Sequence, residues 1–374
     1  MQVCWVIALS LVFLYYAWIG YFYYGWLKIP SDLPGPLKNR RYVSIIVPVR
    51  NEENNIVSLI KCLTTLDYPK NFLEIIIIDD HSTDHTYDII KDFTKLNGNI
   101  RYFKLDNSET GKKSAIRKGV TVSRFPLILT TDADCKPSPL WVKTMVNYFE
   151  TNSVDLIAGP VIMEGDGGFF NSFQQLEFFS LLGSTAGAIS VGNPVMCSSA
   201  NLGFKRDAYL ENSDPALKKV TSGDDVFLLF SVHKNTNRSI GFLKSRDACV
   251  ITNVQNNPDD FIKQRQRWAS KSIHYTTKAS VFTALLVFTI HFYAIICLLI
   301  SLILPQFLMI AVFIFIFKSF IDFPFLYSVA SYYGKRGLMK YFPAIQGAYF
   351  FYIAYIAITS ITCAVNWKGR IVKY

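Results

Sequence analysis

Residues Phe125 to Cys135, FPLILTTDADC, run an apolar stretch into two aspartates separated by one alanine. In extended backbone just past a strand, Asp132 and Asp134 point the same way and present two hard oxygen donors on one side. Such a pair suits Mg2+ or Mn2+ bridging to a diphosphate. Asp-x-Asp also arises by chance, and a turn or capping role accounts for it too. Downstream, TSGDDVFLLF sets Asp224 and Asp225 ahead of an apolar helical run, where an N-cap pair favours a helix start. A third cluster, QRQRWASK, follows Asn257, Pro258, Asp259 and Asp260, which together read as a helix start. On that helix Phe261, Arg265 and Trp268 share a face, with Lys263, Arg267 and Lys271 around it. A basic amphipathic helix on a membrane surface explains much of this without catalysis.

The elements that must hold these residues lie between about Tyr42 and Val254, where strand-like and helix-like patterns alternate. YVSIIVPV is a β-branched run closing around Pro48, and after RNEEN the apolar positions Ile56, Leu59, Ile60 and Leu63 recur at helical spacing. LEIIIIDD predicts a second buried strand, closed by Asp79 and Asp80. TYDIIKDFTKLN with NIRYFKL, then GKKSAIRKGVTVS with FPLILTTD, add two more helix and strand units. The alternation predicts an α/β fold with a mostly parallel sheet covered by helices. Ligands in such sheets lie outside the carboxyl ends of the strands. This chain places Arg50, Asn51, Glu52, Asp79, Asp80, Asp132 and Asp134 there. A G-x-G-x-x-G turn and a Walker lysine loop are both absent, so any phosphates are held differently.

The flanks have another composition. The chain of 374 residues is 51% hydrophobic and 15% aromatic, more than a soluble domain needs. Val3 to Leu27 carries no charge and is long enough to cross ~30 Å of hydrocarbon at ~1.5 Å per residue. Its Trp5, Trp18, Tyr21, Tyr23, Tyr24 and Trp26 suit an interfacial belt. A cleaved signal peptide needs a basic start, which MQVCW lacks. Val281 to Leu304 and Tyr341 to Val365 read as further spans. Phe307 to Ala330 contains Lys318 and Asp322, four apart on one helix face, where they neutralise each other toward other helices or water. A re-entrant or surface helix is the other reading of that segment, so the C-terminal region holds two to three spans. Lys28, Lys38, Arg40 and Arg41 behind the first span put the central region in the cytoplasm. With three C-terminal crossings Lys335, Arg336 and Lys340 fall on that side too, whereas the tail with Lys368, Arg370 and Lys373 falls outside, against the charge rule. Seven scattered cysteines without a C-x-x-C pair indicate neither a disulfide framework nor a zinc site. The net charge of +10 reads as attraction to anionic headgroups and phosphates, not to nucleic acid.

In their order, SIIVPVRNEENNI, IIIIDDHSTD, GKKSAIRKG, TTDADC, SSANLGFKR, SGDDVFLL and QRQRW resemble family 2 glycosyltransferases. The resemblance is to the membrane group bearing Q-x-x-R-W, which includes hyaluronan, chitin and cellulose synthases and ceramide glucosyltransferase. It covers Tyr42 to Lys271 and implies a GT-A fold, a nucleotide-sugar donor (most often a UDP-sugar) and inversion at the anomeric carbon. By this resemblance Pro48, Arg50 and Glu52 line the nucleoside pocket, Asp79 or Asp80 hydrogen-bonds the base, and Lys112 lies near the donor. Asp132 and Asp134 form the D-x-D pair for Mg2+ or Mn2+, with Asp134 the more direct ligand and Asp132 on the donor side. Asp225 matches the catalytic base. Gln264, Arg267 and Trp268 match Q-x-x-R-W, with Arg267 facing the diphosphate and Trp268 the acceptor. GDD stands where many members have TED or GED; Asp224 keeps the charge at shorter reach, which bears on donor or acceptor choice.

Chemistry agrees. Expelling a nucleoside diphosphate needs charge neutralisation, which a divalent ion and Arg267 can supply, and a base within reach of the incoming hydroxyl, for which a carboxylate such as Asp225 suffices. The expected organisation is a membrane helix (1–27), a linker (28–41), a GT-A domain (42–255), an interfacial helix (256–279), a C-terminal membrane region (281–365) and a basic tail (366–374). This describes an integral protein of an inner or plasma membrane with a cytoplasmic catalytic domain. The aromatic residues of GGFFNSFQQLEFFSLLGS, Gly167 to Ser184, read as core packing, with part expected to rest at the bilayer surface and guide an amphiphilic acceptor. The favoured activity is transfer of one or a few sugars to a lipid, lipid-linked or glycan acceptor. Processive polysaccharide synthesis ranks second because so few spans hardly enclose a channel. A catalytically silent membrane scaffold and a transporter are the rivals from other classes.

Overall fold

The uncharged N-terminal run folds as helix α1 (Gln2–Lys28), and the β-branched run behind it as strand β1 (Val43–Val49). Then come α2 (Ile56–Thr64), β2 (Leu73–Asp79), α3 (Thr86–Leu96), β3 (Ile100–Lys104), α4 (Lys112–Val122) and β4 (Leu127–Thr130), each within a residue or two of its predicted position. Next are β5 (Cys135–Pro137), α5 (Trp141–Asn152), β6 (Leu156–Ala158), β7 (Val161–Glu164) and the long α6 (Gly168–Ser190). They lead to β8 (Leu202–Lys205), α7 (Arg206–Asn212), α8 (Asp224–Lys234), β9 (Ile240–Phe242) and β10 (Val250–Asn253). The last elements are α9 (Pro258–Ala269), α10 (Lys278–Ile300), α11 (Phe307–Tyr332), α12 (Phe342–Thr362), β11 (Val365–Trp367) and β12 (Arg370–Val372). The structure, a computed structural model, describes residues 1–31, 40–212, 223–362, 365–367 and 370–372. Lys38 in the expected linker, Thr221 and Ser222 before the paired aspartates, Cys363, and Lys368 and Lys373 of the tail lie outside the described residues.

The chain forms two units that interleave along the sequence. A sheet unit comprises Ile29–Glu164 and Met196–Asn253; a helical unit comprises Met1–Lys28, Gly165–Val195 and Val254–Tyr374. The stretch 42–255, expected as one domain, is thus interrupted by α6, which packs with the helical unit.

In the sheet unit seven strands run in the order β3-β2-β1-β4-β8-β6-β9. β1 is parallel to β2 and β4, β2 to β3, and β6 to β9; β8 alone of these runs antiparallel to its neighbours. All of β2 is buried, which is why its run of isoleucines shows no alternation. Gly119 lets α4 lie flush on β1, since a Cβ there would stand 2.5 Å from the Ile46 side chain. The register pairs Val49 with Asp79, so β1 and β2 release the chain at the same level. Just beyond, Asn51 and His81 take left-handed backbone at φ 49 and 57. The turns are stitched by Asn51 N donating to Ser82 Oγ at 3.0 Å and Thr83 N donating to Asn51 Oδ1 at 2.8 Å. A smaller sheet, β5-β10-β7, completes the unit.

In the helical unit Gln2–Lys28, Lys278–Ile300, Phe307–Tyr332 and Arg336–Thr362 are long and apolar enough to cross a membrane. The doubtful third segment is therefore one continuous helix of that kind, α11. The span expected to end at Val365 stops at Thr362, and the expected tail includes the antiparallel pair β11 and β12. Two of the indoles expected in an interfacial belt make hydrogen bonds to neighbouring helices. Trp18 Nε1 donates to Thr283 Oγ1 at 2.8 Å, and the fully buried Trp26 donates to Ser328 Oγ at 3.0 Å. An indole N–H in apolar surroundings needs such a partner.

α1 and α6 touch backbone to backbone: a Cβ on Gly187 would lie 2.0 Å from Phe22 O, and one on Gly25 2.3 Å from Gly187 O. Gly187→Val is accordingly expected to force the helices apart and cost about 3 kcal/mol, read as a lowered melting temperature in detergent; an unchanged melt would contradict this contact. Of the aromatic residues in α6, Phe173 and Phe179 are buried, as core packing requires. Phe169 is exposed.

Candidate active site

The carboxyl end of the sheet gathers the acidic residues singled out in the sequence. β4 ends at Thr130, and Cys135 N closes a turn on Asp132 O at 3.2 Å before β5 begins. Asp132 and Asp134 thus sit on a turn and not on extended backbone, because the chain must leave one sheet and enter the other here. Ala133 is buried between them while Asp134 is exposed and Asp132 half-buried, and Cys135 Sγ donates to Asp134 Oδ1 at 3.6 Å.

Asp225 stands in the first turn of α8, after Gly223 in left-handed backbone at φ 99. It is buried, and its two oxygens accept from Ser199 N at 3.1 Å and Val226 N at 2.8 Å. The turn carrying Ser199 is itself fixed. Thr130 Oγ1 donates to Ser199 O at 2.7 Å, tying it to the end of β4. Asn201 accepts from Trp141 Nε1 and donates to Pro160 O and Ala248 O, each at 2.8 Å. A small cavity lined by Thr130, Ser199 and Tyr209 also reaches Asp224 and Asp225.

Lys112 joins the two acidic pairs. Asp80 Oδ2 accepts from Gly111 N at 3.0 Å, which anchors the start of α4 to the end of β2. The next residue sends its ammonium to Asp132 Oδ1 at 2.5 Å. Lys112 is only half-buried; desolvation works against its charge, but Asp132, then Asp224 and Asp225, outweigh it and raise the pKa above the usual lysine value. One cation therefore feels three of the predicted carboxylates at once.

On the β1 and β2 side the predicted residues mostly hold the loops. Arg50 Nη1 donates to Asp80 O at 2.6 Å and His81 O at 3.1 Å. Asp79 accepts from Ser82 N, Ser82 Oγ and Tyr102 O–H at 2.9, 2.6 and 2.9 Å, so its carboxylate is engaged in the turn. Glu52 is buried, accepts from Asn55 Nδ2 at 2.7 Å and donates its N–H to Thr86 Oγ1 at 2.8 Å. Pro48 is half-buried in β1.

Q-x-x-R-W belongs to the helical unit. Asn257 Oδ1 caps α9 by accepting from Asp260 N at 2.8 Å, with Pro258 in the first turn, as the sequence predicts. Phe261, Gln264 and Arg265 are buried; Arg267 and Trp268 are half-buried.

Among the described residues no group of three or more His, Cys, Asp or Glu is spaced to hold a metal ion. Two hard carboxylates, one already drawn to a cation, still fit magnesium or manganese, which commonly take one or two protein carboxylates and complete their shell with substrate phosphates and water.

Residues 44–211 match the family profile of Glycosyl transferase family 2. Residues 44–211 carry a family 2 glycosyltransferase domain. Among relatives, the chain is 27% identical to glycosyltransferase AglE of Haloferax volcanii over 190 residues, 50% of this chain and 59% of AglE. It is 28% identical to dodecaprenyl-phosphate galacturonate synthase of Rhizobium johnstonii over 148 residues, 39% of this chain and 43% of that protein. The chain thus spans less than two thirds of the length of these relatives. The mannosyltransferase PcManGT of Pyrobaculum calidifontis, solved with GDP-Man and Mn2+, superposes with a TM-score of 0.60 at 16% identity, covering 94% of this chain and 98% of that one. This likeness establishes the glycosyltransferase domain as GT-A. Among the residues missed in the sequence are Ser199 and Gly111, which act through backbone N–H groups, and Glu177, an acid inside an aromatic run.

Proposed function

We propose that the chain is an inverting glycosyltransferase that moves a sugar from a nucleotide-sugar, a UDP-sugar in the first instance, to a lipid or lipid-linked acceptor at the cytoplasmic face of a membrane. The observation that carries this reading is the carboxyl end of the sheet, where the Lys112 ammonium bonds Asp132 and Asp225 stands buried in the first turn of α8. A donor diphosphate needs positive charge at the sheet edge, and an acceptor hydroxyl needs a carboxylate base nearby.

In this reading Pro48, Glu52, Asp80 and the loop that Arg50 holds frame the nucleoside, while Asp79 stiffens that loop. Lys112 stabilises negative charge on the phosphates. Asp132 and Asp134 would hold Mg2+ or Mn2+, which when bound neutralises the departing diphosphate. Asp225 takes the proton of the acceptor hydroxyl as its oxygen attacks the anomeric carbon from the face opposite the leaving group, so configuration inverts. Gln264, Arg267 and Trp268 take the roles that the family resemblance gives them. Four candidate spans, few for enclosing a polymer channel, support a lipid-type acceptor over a long polymer, and the name of the dodecaprenyl-phosphate relative is in keeping with it.

The test is nucleotide release by the full chain in detergent, across UDP- and GDP-sugars, with a membrane lipid extract as acceptor. The GDP-sugars are included because PcManGT binds GDP-Man. One donor is expected to be consumed, and EDTA to lower its consumption about a hundredfold with recovery on added Mn2+. No release from any donor would refute the transferase reading. A ladder of long products on a sizing column would favour a processive synthase instead.

A further inference from the structure

Arg265 is 2% exposed and touches two of the three residues matched to Q-x-x-R-W. Its Nη1 donates to Gln264 Oε1, and its guanidinium carbon lies 4.3 Å from the centroid of the Trp268 indole and 4.5 Å from that of Phe261. Its Nε donates to Glu177 Oε1 and Oε2 at 3.1 and 3.0 Å, and its Nη2 to Oε2 at 2.5 Å. Tyr352 O–H donates to Glu177 Oε1 at 2.8 Å. The network joins α6, α9 and α12 inside the helical unit.

Two consequences follow from the chemistry of arginine. A guanidinium has donors only, so Gln264 must turn its carbonyl oxygen toward Arg265, which leaves the amide N–H groups as the end that meets any other partner. A planar cation over an indole also restricts the ring's tilt, and Phe178 sets a second boundary at 5.9 Å. Packing alone does not call for ions here, because apolar side chains of similar volume commonly stabilise a core as well as a buried ion pair does. What the pair adds is direction.

We infer that the Glu177–Arg265 ion pair, seated by Tyr352, is the positioning device of the acceptor-side segment, fixing Gln264 as a hydrogen-bond donor and Trp268 as a flat platform for a hydroxyl-bearing acceptor. This rests on the transferase reading above. Glu177, Arg265 and Tyr352 are positioning residues that act through Gln264 and Trp268.

The experiment uses the full chain, the donor identified by nucleotide release, and the lipid extract as acceptor. Glu177→Gln is expected to raise the acceptor KM about tenfold or more while the donor KM stays at the wild-type value. In a Gln264→Ala, Trp268→Phe background the same change is expected to cost about twofold or less, since both groups it positions are already altered. A triple apolar variant, Glu177→Leu with Arg265→Met and Tyr352→Phe, is expected to melt like wild type and still show the raised acceptor KM. If Glu177→Gln does not fold, Tyr352→Phe, which keeps the ion pair, is expected to show the same acceptor-only effect at about threefold. Equal losses in both backgrounds, a matching rise in donor KM, or full activity in the triple variant would each overturn the inference alone. Wild-type protein that releases no nucleotide would overturn the transferase reading and this inference with it.

Discussion

Asp225→Asn is expected to slow sugar transfer by ~10²–10⁴-fold while nucleotide-sugar binding stays close to wild type. The carboxylate is the one buried acid of its pair, and its setting makes the substitution informative. Ser199 N and Val226 N each donate to one of its oxygens. Asparagine can satisfy one of these N–H groups with its carbonyl oxygen, but its NH2 then meets the other donor head-on, an unmet bond worth ~1–3 kcal/mol. Some loss of stability is therefore expected along with the loss of activity, and a melting curve must accompany the rates. Asp224→Asn supplies the contrast: that side chain is half-exposed, so its removal should change donor or acceptor preference more than the maximal rate. Transfer by Asp225→Asn within a few-fold of wild type would remove Asp225 from the base role. If donor affinity fell as steeply as rate, Asp225 would act in holding the donor.

How far the molecule was legible depended on where the physics leaves a mark on residue types. β1 and β2 could be read because strands buried on both faces select unbroken β-branched runs, and α2 because one apolar face selects helical spacing. β6, β7 and β9, of three or four residues, are too short to show any period. α6 was harder still. It buries Gln174, Gln175 and Glu177 along with Phe173, Leu176 and Phe179, so no single apolar stripe marks the face that packs, and the sequence does not say that it joins the helices before and after it in the chain. In the site, Asp132, Asp134 and Asp225 could be named from their order. The link through Lys112 could be assigned only as nearness to a donor, and the backbone donors at Ser199 and Gly111 carry no residue signature at all. The extended D-x-D geometry gave way to a turn because local spacing says nothing about the sheet the chain enters next.

Asp322→Ala is expected to be among the most destabilising single changes in the helical unit, at about 3–5 kcal/mol. Lys318 and Asp322 sit four apart on α11 and form the ion pair their spacing predicts, with Lys318 1% exposed. Tyr15 O–H on α1 donates to Asp322 Oδ1 at 2.8 Å, and Gln346 Nε2 on α12 donates to Oδ2 at 2.8 Å. The ammonium also lies over the rings of Tyr15, Tyr349 and Phe350 at 5.2, 5.7 and 5.5 Å. One carboxylate thus balances a buried cation and accepts hydrogen bonds from two other helices. Alanine removes the countercharge and both acceptors together, in surroundings where water cannot replace them. Asparagine keeps an acceptor but not the charge and should fall between. Lys318→Met with Asp322→Leu removes both charges but still leaves the Tyr15 hydroxyl and the Gln346 amide without their acceptor, so it should recover only the part of the loss that comes from the unpaired ammonium. The order is measurable as melting temperatures in one detergent, wild type highest, the double variant and Asp322→Asn between, and Asp322→Ala lowest. If the double variant melted below Asp322→Ala, the pair would be holding the helices by attraction instead of merely cancelling its own burial cost, and the same reasoning applied to Glu177 and Arg265 would have to change with it.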